Sequence, residues 1–153
     1  MRKAMLLLAV FGLVGSLWAA DPFVGTWKLN VAKSKFNPTS FAPKSVIFKI
    51  VAHDGGLMWT GVIVDAAGKA TNEGWTEKHD GKDYPLTGTA DVDAIAATRS
   101  NPNTFDSVSK KGGNVVGSGQ GVVSKDGKTL TLTSKGKNAQ GQETTSIEVY
   151  DKQ

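Results

Sequence analysis

The chain has 153 residues, a formal net charge of +4, 39% hydrophobic residues and no cysteine. That length fits one domain, and the lack of cysteine excludes disulfide staples and thiolate metal sites. The basic residues are scattered beside turns rather than clustered, which excludes the electrostatic footprint of a nucleic-acid binder.

Arg2 and Lys3 form a positive start, Ala4 to Val14 an apolar run of about eleven residues, and Ala19-Ala20 a small-residue cleavage site. Residues 1–20 therefore read as a secretory signal peptide cut after Ala20, with bulky Trp18 three residues before the cut. The apolar run is short of the roughly twenty residues that a spanning helix needs, so no membrane span is expected. With no cysteine after the run, a lipidated N-terminus is excluded. The predicted product, residues 21–153, is a single β-barrel domain located in the periplasm or secreted. Two of the eighteen basic residues belong to the leader, leaving sixteen against fourteen acids. Leu, Ile, Val and Phe number only 28 of its 133 residues, a lean core for a chain without disulfides. A barrel whose interior is partly unfilled or polar-lined accounts for this, as does a small, modestly stable β-domain.

After the leader, nearly every segment has strand character. Turn signals recur at "HDGG" (53–56), "DAAGK" (65–69), "HDGKD" (79–83), "SNPN" (100–103), "KKGGN" (110–114), "KDGK" (125–128) and "NAQGQ" (138–142). They separate ten predicted strands: 22–30, 45–52, 57–65, 70–78, 82–87, 91–99, 103–110, 114–124, 128–135 and 142–151. Thr129 to Thr133 alternates threonine and leucine, as a half-buried strand does. Leu57 to Val64 is apolar on both faces and is expected to be central or covered. In "VVGSGQGVV" (115–123), glycines at 117, 119 and 121 strip one face of side chains, which suits a bent strand or close backbone approach. The connector 31–45 has room for one helical turn at most, because Pro38 and Pro43 break it. This rhythm predicts an all-β, up-and-down antiparallel β-barrel of about ten strands, with a two-sheet sandwich as the alternative.

The opening strand, "FVGTWKL" (23–29), resembles the start of the intracellular fatty-acid-binding proteins, a ten-stranded family of the calycin group. The last strand, "TTSIEVYDKQ" (144–153), resembles that family's ending. The likeness covers both ends of the chain, and the middle by pattern alone. "GTWKLNVAKSKF", "DGKDYP" and "VSKDGKTLT" are similar to small exported bacterial proteins described as lipocalin-like. The resemblance implies a calycin barrel in which Gly25 allows close approach and Trp27 closes one end. There are two departures. The connector is too short for the two helices that lid the family's cavity, so a cavity here would be open or covered by a loop. The family's Arg-x-Tyr carboxylate clamp falls on Glu148 and Tyr150, and a glutamate repels a carboxylate; only the tyrosine carries over.

Candidate ligand-binding residues are Trp59, Trp75, Tyr84, Arg99, Glu148 and Tyr150, with Gly25 and Trp27 structural. The aromatics serve either as pocket lining or as plain core. Arg99, at a strand end, either replaces the missing clamp arginine or faces solvent. Glu148 is surface if outward; if inward, it needs Lys, Tyr or a ligand nitrogen. His53 and His79 sit beside Asp-Gly turns and are expected to be exposed. No metal site follows from them, since zinc would need both to converge with carboxylates. "GSGQG" (117–121) is neither a nucleophile elbow nor a phosphate loop, and an enzyme would need a His–carboxylate cluster assembled by the fold. The expected function is that of an exported, monomeric, non-enzymatic barrel without cofactor that binds a small hydrophobic or amphipathic ligand. The alternative is a closed-core interaction module of the cell envelope with no small-molecule ligand.

Overall fold

The computed structural model describes residues 20–138 and 140–153. The predicted leader therefore lies, apart from Ala20, outside the described residues. Eleven strands form one antiparallel sheet: β1 (Gly25–Leu29), β2 (Lys35–Asn37), β3 (Ser45–His53), β4 (Gly56–Val64), β5 (Ala70–Glu77), β6 (Asp80–Thr87), β7 (Ala94–Asn101), β8 (Thr104–Lys111), β9 (Asn114–Val123), β10 (Thr129–Lys137) and β11 (Glu143–Lys152). From β3 to β11 each strand pairs with the next, and β1 pairs with both β3 and β11. The sheet thus closes into a ten-stranded up-and-down barrel, and the sandwich is excluded. Tight hairpins make this possible. Asp54-Gly55 and Gly112-Gly113 both adopt positive φ at the two central positions, the twist-matched geometry of two-residue β-turns.

The ten predicted strands are present with ends shifted by up to three residues. The connector holds more than the expected single turn: short 3-10 turns at Val31–Lys33 and Thr39–Phe41 flank β2. β1 and β2 lie along the same edge of β11, at its Tyr150–Lys152 end and its Thr145–Ile147 stretch respectively. Where the first turn interrupts them, Asn30 donates its N–H to Val149 O. The Val149 N–H then donates to the Ser34 hydroxyl, which stands in for a backbone carbonyl. Serine can do this because its oxygen both accepts that bond and donates to Asn30 O.

Residues paired across an antiparallel ladder share a face, so the register traces the interior. Trp27, Phe48 and Gly61 are successive partners on β1, β3 and β4; Ile50, Trp59 and Trp75 follow on β3, β4 and β5. On the opposite wall Phe105, Gly121, Leu132 and Glu148 form one row. Ser107, Gly119, Ser134 and Ser146 form the next row toward the far end. The bulky residues concentrate at one end. There the N-terminal segment places Phe23 under the barrel, and Trp27 donates its indole N–H to Phe23 O at 2.8 Å. Phe23, Trp27, Ile50 and Leu130 are fully buried. The other end has serine, threonine and glycine on its inner face.

The glycine row is inward-facing, and it makes room for aromatics. A Cβ on Gly121 would stand 2.3 Å from the Phe105 ring, and one on Gly61 2.5 Å from the Phe48 ring. Gly25 is equally crowded, against the Lys152 stem. β4, expected to be central or covered, is flanked on both edges but bare on its outer face: Val62 and its partner Ile47 are exposed.

Gly121→Ala is expected to destabilise the fold by about 1–3 kcal/mol, the usual cost of overpacking. Phe105 cannot easily yield, since its ring centroid lies 5.1 Å from that of Phe23 and 5.2 Å from that of His79. Urea unfolding monitored by tryptophan fluorescence measures it; an unchanged midpoint contradicts the packing described.

Candidate functional site

The lightly filled end of the barrel encloses a cavity of about 530 Å³. Its mouth is bordered by Phe36, Phe41 and Pro43 of the connector, in the place where a lid would sit. Its floor is aromatic. Trp59 and Trp75 stack at 5.0 Å with an interplanar angle of 13°, Phe48 meets both edge-on, and Tyr150 packs against Phe48 at 5.6 Å. Its middle is polar, lined by Ser107, Ser109, Ser134 and Ser146 with Gly117 and Gly119 between.

Two carboxylates enter this space. Glu148 stands two residues from Tyr150 on β11, and Glu73 two residues from Trp75 on β5, so each projects one inward position nearer the mouth than an aromatic of the floor. Glu148 is inward and satisfied by the protein. Ser146 donates to its Oε1 at 2.8 Å, Tyr150 donates to Oε2, and Ser134 lies 2.8 Å behind Ser146. This chain fixes the hydroxyl directions toward the carboxylate. Burial first, then the Glu148 charge, push the Tyr150 phenol well above its ordinary range, so it remains a donor. Glu73 is raised from the usual carboxylate range, mainly by burial and secondarily by Glu148. The lysines bordering the cavity, Lys135 and Lys137, are exposed strand residues.

Of the predicted site residues, Trp59, Trp75, Glu148 and Tyr150 line the cavity; Tyr84 and Arg99 do not. The Tyr84 hydroxyl instead donates to Asp80 at the barrel surface. Arg99 takes up neither expected position. It sits at the filled end, three-quarters buried, ion-paired to Asp21 at 2.9 Å, bonded to Pro102 O, and stacked over the Phe23 ring at 5.1 Å. His79 also departs from expectation: its side chain is only 5% exposed because a positive φ at the turn directs it inward. His53 remains on the surface beside Asp54.

His79 and Glu77 form the one His–carboxylate contact that the fold buries among the described residues, and sequence reasoning did not single out Glu77 or Glu73. The signal was the alternation Glu73, Trp75, Glu77, which puts both acids on the face of the tryptophan. The pair fills a splayed seam, since β5 and β6 share only two paired positions, Gly74–Thr87 and Trp75–Leu86. Glu77 is 1% exposed. Burial raises its carboxyl to about 7, partly offset by the Trp75 and Trp59 indoles and by Arg99. His79 is lowered to about 4, by burial first and then by Arg99. The Arg99 guanidinium can only donate, so the His79 Nδ1 that it meets at 3.4 Å is the acceptor, and Nε2 bears the hydrogen facing Glu77 Oε1 at 3.4 Å. Between about pH 4 and 7 the proton thus resides on the carboxyl and the pair is buried uncharged. It lies beneath the Trp59–Trp75 stack and does not line the cavity.

The signs of these two shifts oppose. Glu77, raised from 4.5, contributes most below that value and loses its contribution as pH rises through 7. His79, lowered from 6.5, contributes above 6.5 and loses it as pH falls through 4. Together they nearly cancel between pH 4.5 and 6.5. Glu77→Gln leaves only the histidine to titrate, so the stability of the variant relative to the parent is expected to climb by up to about 3 kcal/mol as pH rises through this window and on past 7. Denaturant unfolding at acid and at neutral pH tests this; a pH-independent difference contradicts it.

No protein-family model matches the chain, and no curated protein matches it. Among solved structures it is similar to zebrafish ileal bile acid-binding protein complexed with cholic acid, at 12% identity and a TM-score of 0.49, over 86% of this chain and 99% of that one.

Proposed function

We propose that the protein is a non-enzymatic binding barrel that holds a small apolar or amphipathic molecule between its aromatic floor and its polar middle. The observation that carries this is the cavity: its volume of about 530 Å³ falls within the range of small-molecule sites. Its composition, apolar and aromatic walls with a few convergent polar groups, is also that of such sites. A filled barrel acting through its loops would have a crowded interior, and half of this one carries serine and glycine instead. The His79–Glu77 pair is buried and does not line the cavity, which supports a structural role rather than catalysis. The sequence of the first twenty residues supports export, and the cysteine-free chain needs no oxidative folding. Trp59, Trp75, Glu148 and Tyr150 are the ligand-contacting residues of this proposal.

Titration with neutral diphenylhexatriene, followed by probe emission and by transfer from the cavity tryptophans, is expected to saturate. Ser109→Phe, which places a ring into the cavity from β8, is expected to abolish that signal while leaving the melting temperature nearly unchanged. Absence of a saturable signal, or a signal indifferent to Ser109→Phe, overturns the proposal.

A further inference from the structure

The cavity's electrostatics select among amphipathic ligands. Glu148 faces inward with Ser146 and Tyr150 donating to its two oxygens, so both hydroxyls present acceptor-directed hydrogens to one carboxyl group. Glu73 enters from the opposite wall, with no hydrogen bond or ion pair to it among the described residues. The arginine that could have balanced them, Arg99, is committed to Asp21 and Pro102 at the other end. The bordering Lys135, Lys137, Asp65 and Asp91 are all exposed residues and do not decide the charge of the interior. The cavity interior thus holds two carboxyl groups and, among the described residues lining it, no inward-facing basic side chain, an arrangement that matches a cationic headgroup and opposes an anionic one.

From this we infer that the ligand class is an amphipathic organic cation, an ammonium or amidinium joined to an apolar body. The inference rests on the cavity being a binding site. The cationic group sits between Glu73 and Glu148, one step above the aromatic floor of Trp75 and Phe48. The apolar body lies against Ile63, Leu86, Ile95 and Leu132. A hard metal ion suits the space less well. It needs six or more oxygens, whereas much of the surface around the carboxylates is aromatic or aliphatic, and Glu148 already spends acceptor capacity on two hydroxyls.

Three probes of one shape test the inference: diphenylhexatriene, its trimethylammonium derivative and its propionate derivative. The trimethylammonium form is expected to bind about tenfold or more tightly than the propionate. Glu73→Gln and Glu148→Gln are each expected to weaken the cation several-fold, and Glu73→Gln is expected to do so while leaving neutral diphenylhexatriene unchanged. Because Glu73 makes no hydrogen bond among the described residues, its variant separates charge from folding even if Glu148→Gln disturbs the Tyr150 contact. Equal or tighter binding of the propionate, or cation affinity unmoved by Glu73→Gln, overturns the inference while leaving a neutral-ligand site intact. If none of the three binds, the cavity proposal and this inference both fail.

Discussion

Everything in this molecule follows from a ring closed by one short strand and filled from one end only. β1 is five residues long, yet it pairs with both β3 and β11 and so removes the edges that an open sheet would expose. Trp27, at the middle of β1, is buried at the end where the chain enters, and its indole N–H holds the backbone of Phe23 across the base. Those two residues, with Ile50, Leu57, Val123 and Leu130, give the fold its conventional core. Most of the fully buried apolar side chains are gathered there, and the opposite half is lined on one wall by serine and glycine, which leaves space across the barrel.

The interior carries ionisable groups in two different ways, and the contrast explains their roles. At the seam between β5 and β6, Glu77 and His79 are buried so completely that the neutral forms win; desolvation dominates both. Nearby, Asp21, the Pro102 carbonyl and the Phe23 face all engage the Arg99 guanidinium. In the cavity, by contrast, Glu148 is supplied with hydroxyl donors, and Glu73 is left with none among the described residues. A structural acid is neutralised or paired by the protein. Acids that line a space and lack a cation leave a demand that a ligand can meet, and this is the physical basis of the proposed specificity.

The architecture was readable in the sequence because hairpins announce themselves: Asp-Gly and Gly-Gly turns set loop lengths, and period-two alternation set facing. The leucines of β10 and the glycines of β9 fell on the inner face by that rule alone. Glu148 and Tyr150 stand at the positions of a motif whose arginine is missing, and both line the cavity. What sequence could not supply was depth. Arg99 and Tyr84 alternate correctly, yet one ends at the filled base and the other at the surface, because position along a strand decides which layer a side chain enters. His79 was misjudged for a related reason: a turn residue is usually solvated, but a positive φ beside a splayed seam turns the ring inward. Glu73 was within reach, since it shares a face with Trp75, but its significance appears only once Glu148 is seen in the same cavity.

The most direct test is a nuclear Overhauser spectrum of the protein in water, which reports ring closure and interior occupancy together. The account predicts backbone contacts between Lys28 and Asp151 across the β1–β11 ladder. It also predicts that Ser109 and Thr144, at the open end, show cross-peaks to water, while Trp27 and Leu130 show contacts only to protein. Missing β1–β11 contacts, or a dry upper interior with Ser109 touching the far wall, would contradict it.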